Sequence, residues 1–187
     1  SRSTADGDLI ALCEDRVLKI LANKDALFNA DGNTNVTSTN NVLGTAIPYA
    51  GEYGMSKNPE SFASDAYRIY FTDKVRGTVM RLSKDGLTPI SNHGMKDWFR
   101  DNLKLGDKLI GSHDDKKDEY NITIKGGIIA KTVTFREDVK GWVSFKSFIP
   151  ENAISCANEY YTFKYGGIWK HHNEDCLLYT SPAHETV

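Results

Sequence analysis

The chain has 187 residues with 23 basic and 25 acidic side chains, a net charge of −2, and 40% apolar residues. That balance is ordinary for a folded domain with one sizeable core, and it excludes a disordered tail. It also lacks the basic excess of a nucleic-acid binder, and no apolar run reaches the length of a membrane span.

Twenty residues are aromatic (3 Trp, 9 Tyr, 8 Phe), which favours β structure. Two apolar runs, residues 9 to 13 and 17 to 21, flank the charged break Glu14-Asp15-Arg16 and predict a β-hairpin. Residues 29 to 41 are rich in Asn, Thr, Ser and Gly and predict a surface loop. Its Asp31-Gly32-Asn33-Thr34-Asn35 string lacks the glycine position and closing Glu of a calcium loop. Asn58-Pro59-Glu60 supplies an N-cap residue, a proline at the first helical position and an acidic first turn, predicting a short helical turn to Ala63.

Tyr67, Ile69 and Phe71 alternate on one face of a strand that a Gly77-containing turn joins to a second strand, residues 78 to 82. Asp85-Gly86 marks a tight turn, and Leu87 to Ile90 form an edge strand because Pro89 cannot donate to a ladder. Met95, Trp98, Phe99, Asn102 and Leu103 recur at helical spacing, so residues 95 to 103 predict one amphipathic helix plugged into the core and ended by Gly106. Strands then return at residues 108 to 112, 120 to 124, 128 to 135, 142 to 148, 159 to 164 and 168 to 171.

Four hairpins share one grammar, with turn residues Asp15, Asp73, Asp115 and Gly166 at intervals of 58, 42 and 51 residues. Periods of this size belong to propeller blades, since single amphipathic hairpins hide their apolar faces by stacking. The fold expected is mainly β, built of antiparallel hairpins in a propeller-like, incomplete ring with one short amphipathic helix; the alternative is a β-sandwich. The chain reads as one β-rich module over residues 1 to 187 with flexible ends at 1 to 8 and 180 to 187. It starts at Ser1 without an initiator Met, as expected of part of a longer chain.

Catalytic patterns are lacking: there is no G-x-S-x-G, H-E-x-x-H, P-loop or G-x-G-x-x-G string. Asp114, Asp115, Asp118 and Glu119 are interleaved with Lys116 and Lys117, the pattern of a solvated turn. His171 and His172 are adjacent on a strand end and point to opposite faces, so they do not converge on a metal with Cys176. Cys13, Cys156 and Cys176 are an odd set without C-x-x-C spacing and read as unpaired thiols of a reducing compartment. No enzyme activity, cofactor or metal is therefore expected. Trp142, Tyr160, Tyr161 and Trp169 are the candidate interface residues, since aromatic anchors dominate binding energy.

Several longer strings carry a family likeness. They include Asp15-Arg16-Val17-Leu18-Lys19-Ile20, Ser56-Lys57-Asn58-Pro59-Glu60-Ser61-Phe62-Ala63 and Tyr70-Phe71-Thr72-Asp73-Lys74-Val75-Arg76-Gly77. Gly94-Met95-Lys96-Asp97-Trp98-Phe99-Arg100-Asp101 and Gly141-Trp142-Val143-Ser144-Phe145-Lys146-Ser147-Phe148 continue the match. Over about residues 9 to 173 the chain resembles virion structural proteins of tailed bacteriophages, particularly large tail or neck-proximal proteins. The resemblance implies a propeller-like assembly module of the tail, neck, nozzle or baseplate, made in the host cytoplasm and located in the virion. Its partners would be other virion proteins in a symmetric homo- or hetero-oligomer. The rival function is a host-surface glycan-binding or glycan-cleaving module on the same scaffold. Ser83-Lys84-Asp85-Gly86-Leu87-Thr88 is similar to the turn motif of propeller sialidases, but Asp85 and Gly86 stand one residue too close.

Overall fold

The computed structural model describes residues 2–3, 7–28 and 34–172. The described chain is mainly β, arranged as four antiparallel sheets that follow one another along the sequence. Sheet A contains β1 (Arg2–Ser3), β2 (Leu9–Leu12), β3 (Val17–Phe28) and β4 (Thr34–Pro48). Sheet B contains β5 (Ala63–Ser64), β6 (Ile69–Asp73), β7 (Thr78–Ser83) and β8 (Gly86–Pro89). Sheet C contains β9 (Lys108–Asp114), β10 (Glu119–Gly126), β11 (Ile129–Arg136) and β12 (Gly141–Lys146). Sheet D has three strands, β13 (Asn152–Cys156), β14 (Glu159–Lys164) and β15 (Gly167–Lys170).

Within each sheet every strand pairs with its neighbours in chain order, which is the connectivity of propeller blades. Each hairpin identified by its shared grammar falls in a different sheet, but not at the same place in it. β2–β3, β6–β7 and β14–β15 are the second hairpins of sheets A, B and D, whereas β9–β10 is the first hairpin of sheet C. The equivalent turn in sheet C is therefore Gly126-Gly127, not Asp115. Among the described residues no sheet closes into a barrel.

The sheets stack face to face, and side-chain alternation sets which residues meet. Ile69, Phe71, Met80 and Leu82 leave one face of sheet B and join Ile10, Val17 and Met55 in a first core. Tyr70 and Val79 leave the other face and join Leu109, Ile122, Ile124, Val133 and Phe135 of sheet C in a second. All five residues of β6 are buried because both faces of sheet B are covered.

The expected helix is present as α1 (Lys96–Asn102), continued by a 3-10 turn, Leu103–Leu105, that ends at Gly106. Phe99 and Leu103 insert into the second core, with Trp98 and Trp142 packed at its margin. Gly77 has φ +67°, and a Cβ there would lie 2.7 Å from Arg100 Cα. The β6–β7 turn thus needs glycine both for its conformation and for the approach of α1.

Several expectations are corrected. Residues 34 to 41, read as loop, belong to β4, and β3 continues to Phe28 instead of ending at Leu21. The polar composition tracks exposure, since Thr and Asn on a two-stranded ribbon need no core. The calcium-like string begins outside the described residues, and its Thr34 and Asn35 are ladder positions opposite Phe28 and Leu27. Tyr67 precedes β6 and is exposed, because Asp65 organises a turn there by accepting the amides of Tyr67 and Arg68. Asn58 makes no side-chain cap; its carbonyl instead accepts Ser61 N and Ser61 Oγ, and Pro59–Ser61 is a single 3-10 turn. β5 and β13 were without a signal in the sequence, being a two-residue edge and a strand of mixed polarity. Of the two ends read as flexible, residues 180 to 187 lie outside the described residues, while Arg2–Ser3 pairs with Leu9 and Ile10 and Asp8 is buried.

Candidate functional site

Sheet D presents two chemically different faces. Toward sheet C it places Tyr160 and Thr162 in a polar seam, where Tyr160 Oη lies 2.7 Å from Ser112 Oγ. Thr134 Oγ1 donates to Asn121 Oδ1 at 2.6 Å, and Thr123 and Thr132 hydroxyls meet at 2.8 Å. Most of these buried hydroxyls pair with one another, while Asn121 Nδ2 is left without a hydrogen-bond partner among the described residues. Burial pushes the Tyr160 hydroxyl up to about 12, opposed by the Ser112 hydrogen bond.

The register of β13, β14 and β15 places Ile154, Tyr161, Phe163 and Ile168 on the opposite face. Ile154 and Ile168 are 54% and 67% exposed, and among the described residues no further sheet covers them. At the other end of the stack, β3 and β4 beyond Leu21 pair only with each other among the described residues, as a two-stranded ribbon. Asn23, at φ +54°, bends this ribbon, and Asp25 Oδ1 accepts both Thr45 N and Thr45 Oγ1. Leu27, Val36, Val42 and Leu43 on it are all more than half exposed. A third apolar area is a groove of about 380 Å³ between α1 and the edge of sheet C, lined by Trp98, Leu105, Ile128 and Phe145.

The four aromatic residues singled out as anchors divide between core and surface. Tyr160 is 1% exposed and is a seam residue, so it is corrected to a structural role. Trp142 packs against Phe99 and Phe135, and its Nε1 donates to Ile90 O at 3.0 Å, which makes it a core margin rather than a free anchor. Tyr161 is half-buried on the outer face of sheet D. Trp169 is 63% exposed, and Tyr165 in the adjacent turn is more so. Alternation alone does not decide this division, since Trp169 lies opposite Thr162 and shares the Tyr160 face of sheet D; Tyr160 is on the central strand β14, whereas Trp169 is on β15, an edge strand among the described residues.

The acidic run between β9 and β10 is only half solvated, against expectation. Asp114 and Glu119 are buried, while Asp115 and Asp118 are exposed. Asp114 Oδ1 accepts the amides of Lys116 and Lys117, and its Oδ2 lies 2.5 Å from His172 Nε2. Glu119 accepts Lys146 Nζ at 2.9 Å. An Asp two and three residues before turn amides is a local signal for this arrangement. His171 turns instead to Thr162 Oγ1 at 2.8 Å, so the two adjacent imidazoles have different partners. Cys13 and Cys156 are free thiols, and Cys176 lies outside the described residues.

A second polar cluster spans the rim between sheets B and C. Glu137 accepts Tyr70 Oη at 2.8 Å and Arg81 Nη1 at 2.7 Å, with Arg68 Nε 3.8 Å away. Burial, then the Glu137 hydrogen bond, pushes the Tyr70 hydroxyl well above its usual range, so it acts as a neutral donor. The Tyr70 ring stacks on Tyr120 with centroids 4.7 Å apart and lies nearly parallel to His113 at 6.0 Å. Ligand atoms of Asp65, His113 and Asp118 converge beside it, all within 4.8 Å of one another. No spacing rule signals this trio, because Asp65 comes from the β5–β6 turn of sheet B, His113 from β9 and Asp118 from the β9–β10 turn of sheet C.

No protein-family profile matches the chain, and no curated protein matches it. Among the described residues no helix is long and apolar enough to cross a membrane.

Proposed function

We propose that the protein is a structural assembly module of a bacteriophage virion, associated with the tail, neck or baseplate, and that it acts by packing against other virion proteins. The observation that carries this reading is that, among the described residues, exposed apolar side chains occur at both ends of the sheet stack: on the β3–β4 ribbon, and on the Ile154/Ile168 face of sheet D. A two-stranded ribbon is marginal in water, and its open edges and apolar residues are stabilised by a partner. Uncovered faces at both ends suit a module that is one link in a series, in which each neighbour supplies the next layer. The sequence resemblance to virion structural proteins adds the particle.

The test is quantitative mass spectrometry with immunogold labelling of purified particles. The protein is expected at a fixed, symmetric copy number per particle. Finding it only in infected-cell lysate would refute the assignment.

The exposed rings of Trp169 and Tyr165 favour a second reading, a host-glycan-binding face, since aromatic platforms stack on sugars. It predicts binding on a glycan array that Trp169→Ala abolishes; a silent array removes it and leaves the assembly reading standing.

A further inference from the structure

We propose that Asp65, His113 and Asp118 bind a divalent transition ion, with Zn²⁺ or Mn²⁺ as the fitting class, which clips the β5–β6 turn of sheet B to the β9–β10 turn of sheet C. The argument starts from His113. Its side chain is 94% buried, as the 6% exposure shows, and its Nδ1 lies 2.9 Å from Asp115 Oδ1. A carboxylate only accepts, so Nδ1 carries the proton. That leaves Nε2 as the nitrogen with the lone pair, the carboxylate–histidine arrangement that orients an imidazole toward a metal.

Nε2 is buried and among the described residues has no hydrogen-bond partner. It nevertheless faces two carboxylates, with Asp118 Oδ1 at 3.3 Å and Asp65 Oδ2 at 4.0 Å. Neither makes an acceptable hydrogen bond to it, so an imidazolium N–H would be left without an acceptor. A neutral ring would turn its lone pair on two anions. A cation between the three groups resolves both problems. With ligand bonds of about 2.1 Å, tetrahedral neighbours sit about 3.4 Å apart. The His113–Asp118 separation is already close to that value, and Asp65 Oδ2 needs to approach His113 Nε2 by about 0.6 Å.

The Asp65 carboxylate is held. Asp65 Oδ1 accepts the amides of Tyr67 and Arg68 at 2.6 Å each, and Oδ2 accepts Arg68 Nη1 at 2.8 Å while keeping further lone pairs. Asp118 has a left-handed backbone at φ +49°, and its exposed carboxylate comes to 3.3 Å from His113 Nε2 on the solvent side. One imidazole and two carboxylates suit Zn²⁺ or Mn²⁺ better than the all-oxygen shells that Ca²⁺ and Mg²⁺ take. Water completes the coordination.

Mn²⁺ is the probe, because its paramagnetism reports position. Titrated into the full chain and followed by amide NMR, it is expected to broaden signals centred on residues 65, 113 and 115 to 118. Mn²⁺ and Zn²⁺ should raise the melting temperature in a concentration-dependent way, and Mg²⁺ should not. Asp118→Asn retains the shape and tolerates the positive φ, and is expected to weaken Mn²⁺ binding at least about tenfold with its metal-free melting temperature unchanged. Asp85→Asn, in an exposed turn of sheet B, should bind like the parent. The proposal is overturned by D118N binding Mn²⁺ as tightly as the parent, by broadening centred on His171 and His172 instead, or by unchanged spectra and melting temperature at millimolar ion.

Discussion

Gly111→Ala tests the fit between sheets B and C, on which the position of His113 relative to Asp65 depends. Gly111 lies on β9 against the 3-10 turn, and a Cβ there would stand 1.9 Å from Ser61 O and 3.1 Å from Tyr120 Oη. Relief requires the backbones to part by about 1.3 Å, an overpacking that costs about 1–3 kcal/mol. Ser61 O also accepts the buried Tyr120 hydroxyl at 3.0 Å. Displacing it strands that hydroxyl for about another 1–3 kcal/mol. The combined loss, about 4 kcal/mol, is a large share of the roughly 5–15 kcal/mol available to a domain. Urea denaturation of the parent, G111A, Tyr120→Phe and the double variant measures it. The two effects should be strongly non-additive, because G111A already breaks the hydrogen bond that Y120F removes. A loss below about 1 kcal/mol for G111A, or simple additivity in the cycle, would refute this packing account.

The outer face of sheet D yields a functional counterpart. Burying the exposed parts of Ile154 and Ile168 is worth about 1–2 kcal/mol each, so Ile154→Asp with Ile168→Asp should weaken particle incorporation or self-association about 30- to 1000-fold. Stability should stay within about 0.5 kcal/mol, because both side chains project from a solvent-facing surface; a comparable loss of stability would mean the face is already covered in the free chain. A third expectation concerns acid. Burial lowers the His171 pKa, reinforced by His172 and Lys146 and opposed by Asp114. The unfolded chain then takes up the proton first, so stability is complete above the ordinary histidine range near 6.5 and declines as pH falls through and below it. Denaturation midpoints between pH 5 and 7.5 should show that slope flattened in His171→Gln, and an unchanged slope would rule this group out as its source.

Much of the architecture is written locally. Alternation in residues 120 to 124 and 132 to 135, the Met95/Trp98/Phe99/Leu103 stripe and the glycine turns are short-range patterns, and each produced the element it predicted. Local pattern failed where the covering layer decides. Residues 34 to 41 look like loop because nothing apolar is required of a ribbon exposed on both faces. Tyr160 and Trp169 carry the same aromatic signal, yet one is sealed under sheet C and the other stands in solvent.

The ordinary length, composition and near-zero charge thus determined a folded, strand-rich chain, and hydrophobic periodicity determined which residues share a face. Only the tertiary structure decided the order of the stack and the pairing of polar faces into a hydrogen-bonded seam between sheets C and D. It also brought Asp65 to His113 and Asp118, residues 48 and 53 positions away in the chain. Periodicity is a property of one strand, whereas burial and convergence depend on which other strand arrives, and that is set by long-range packing.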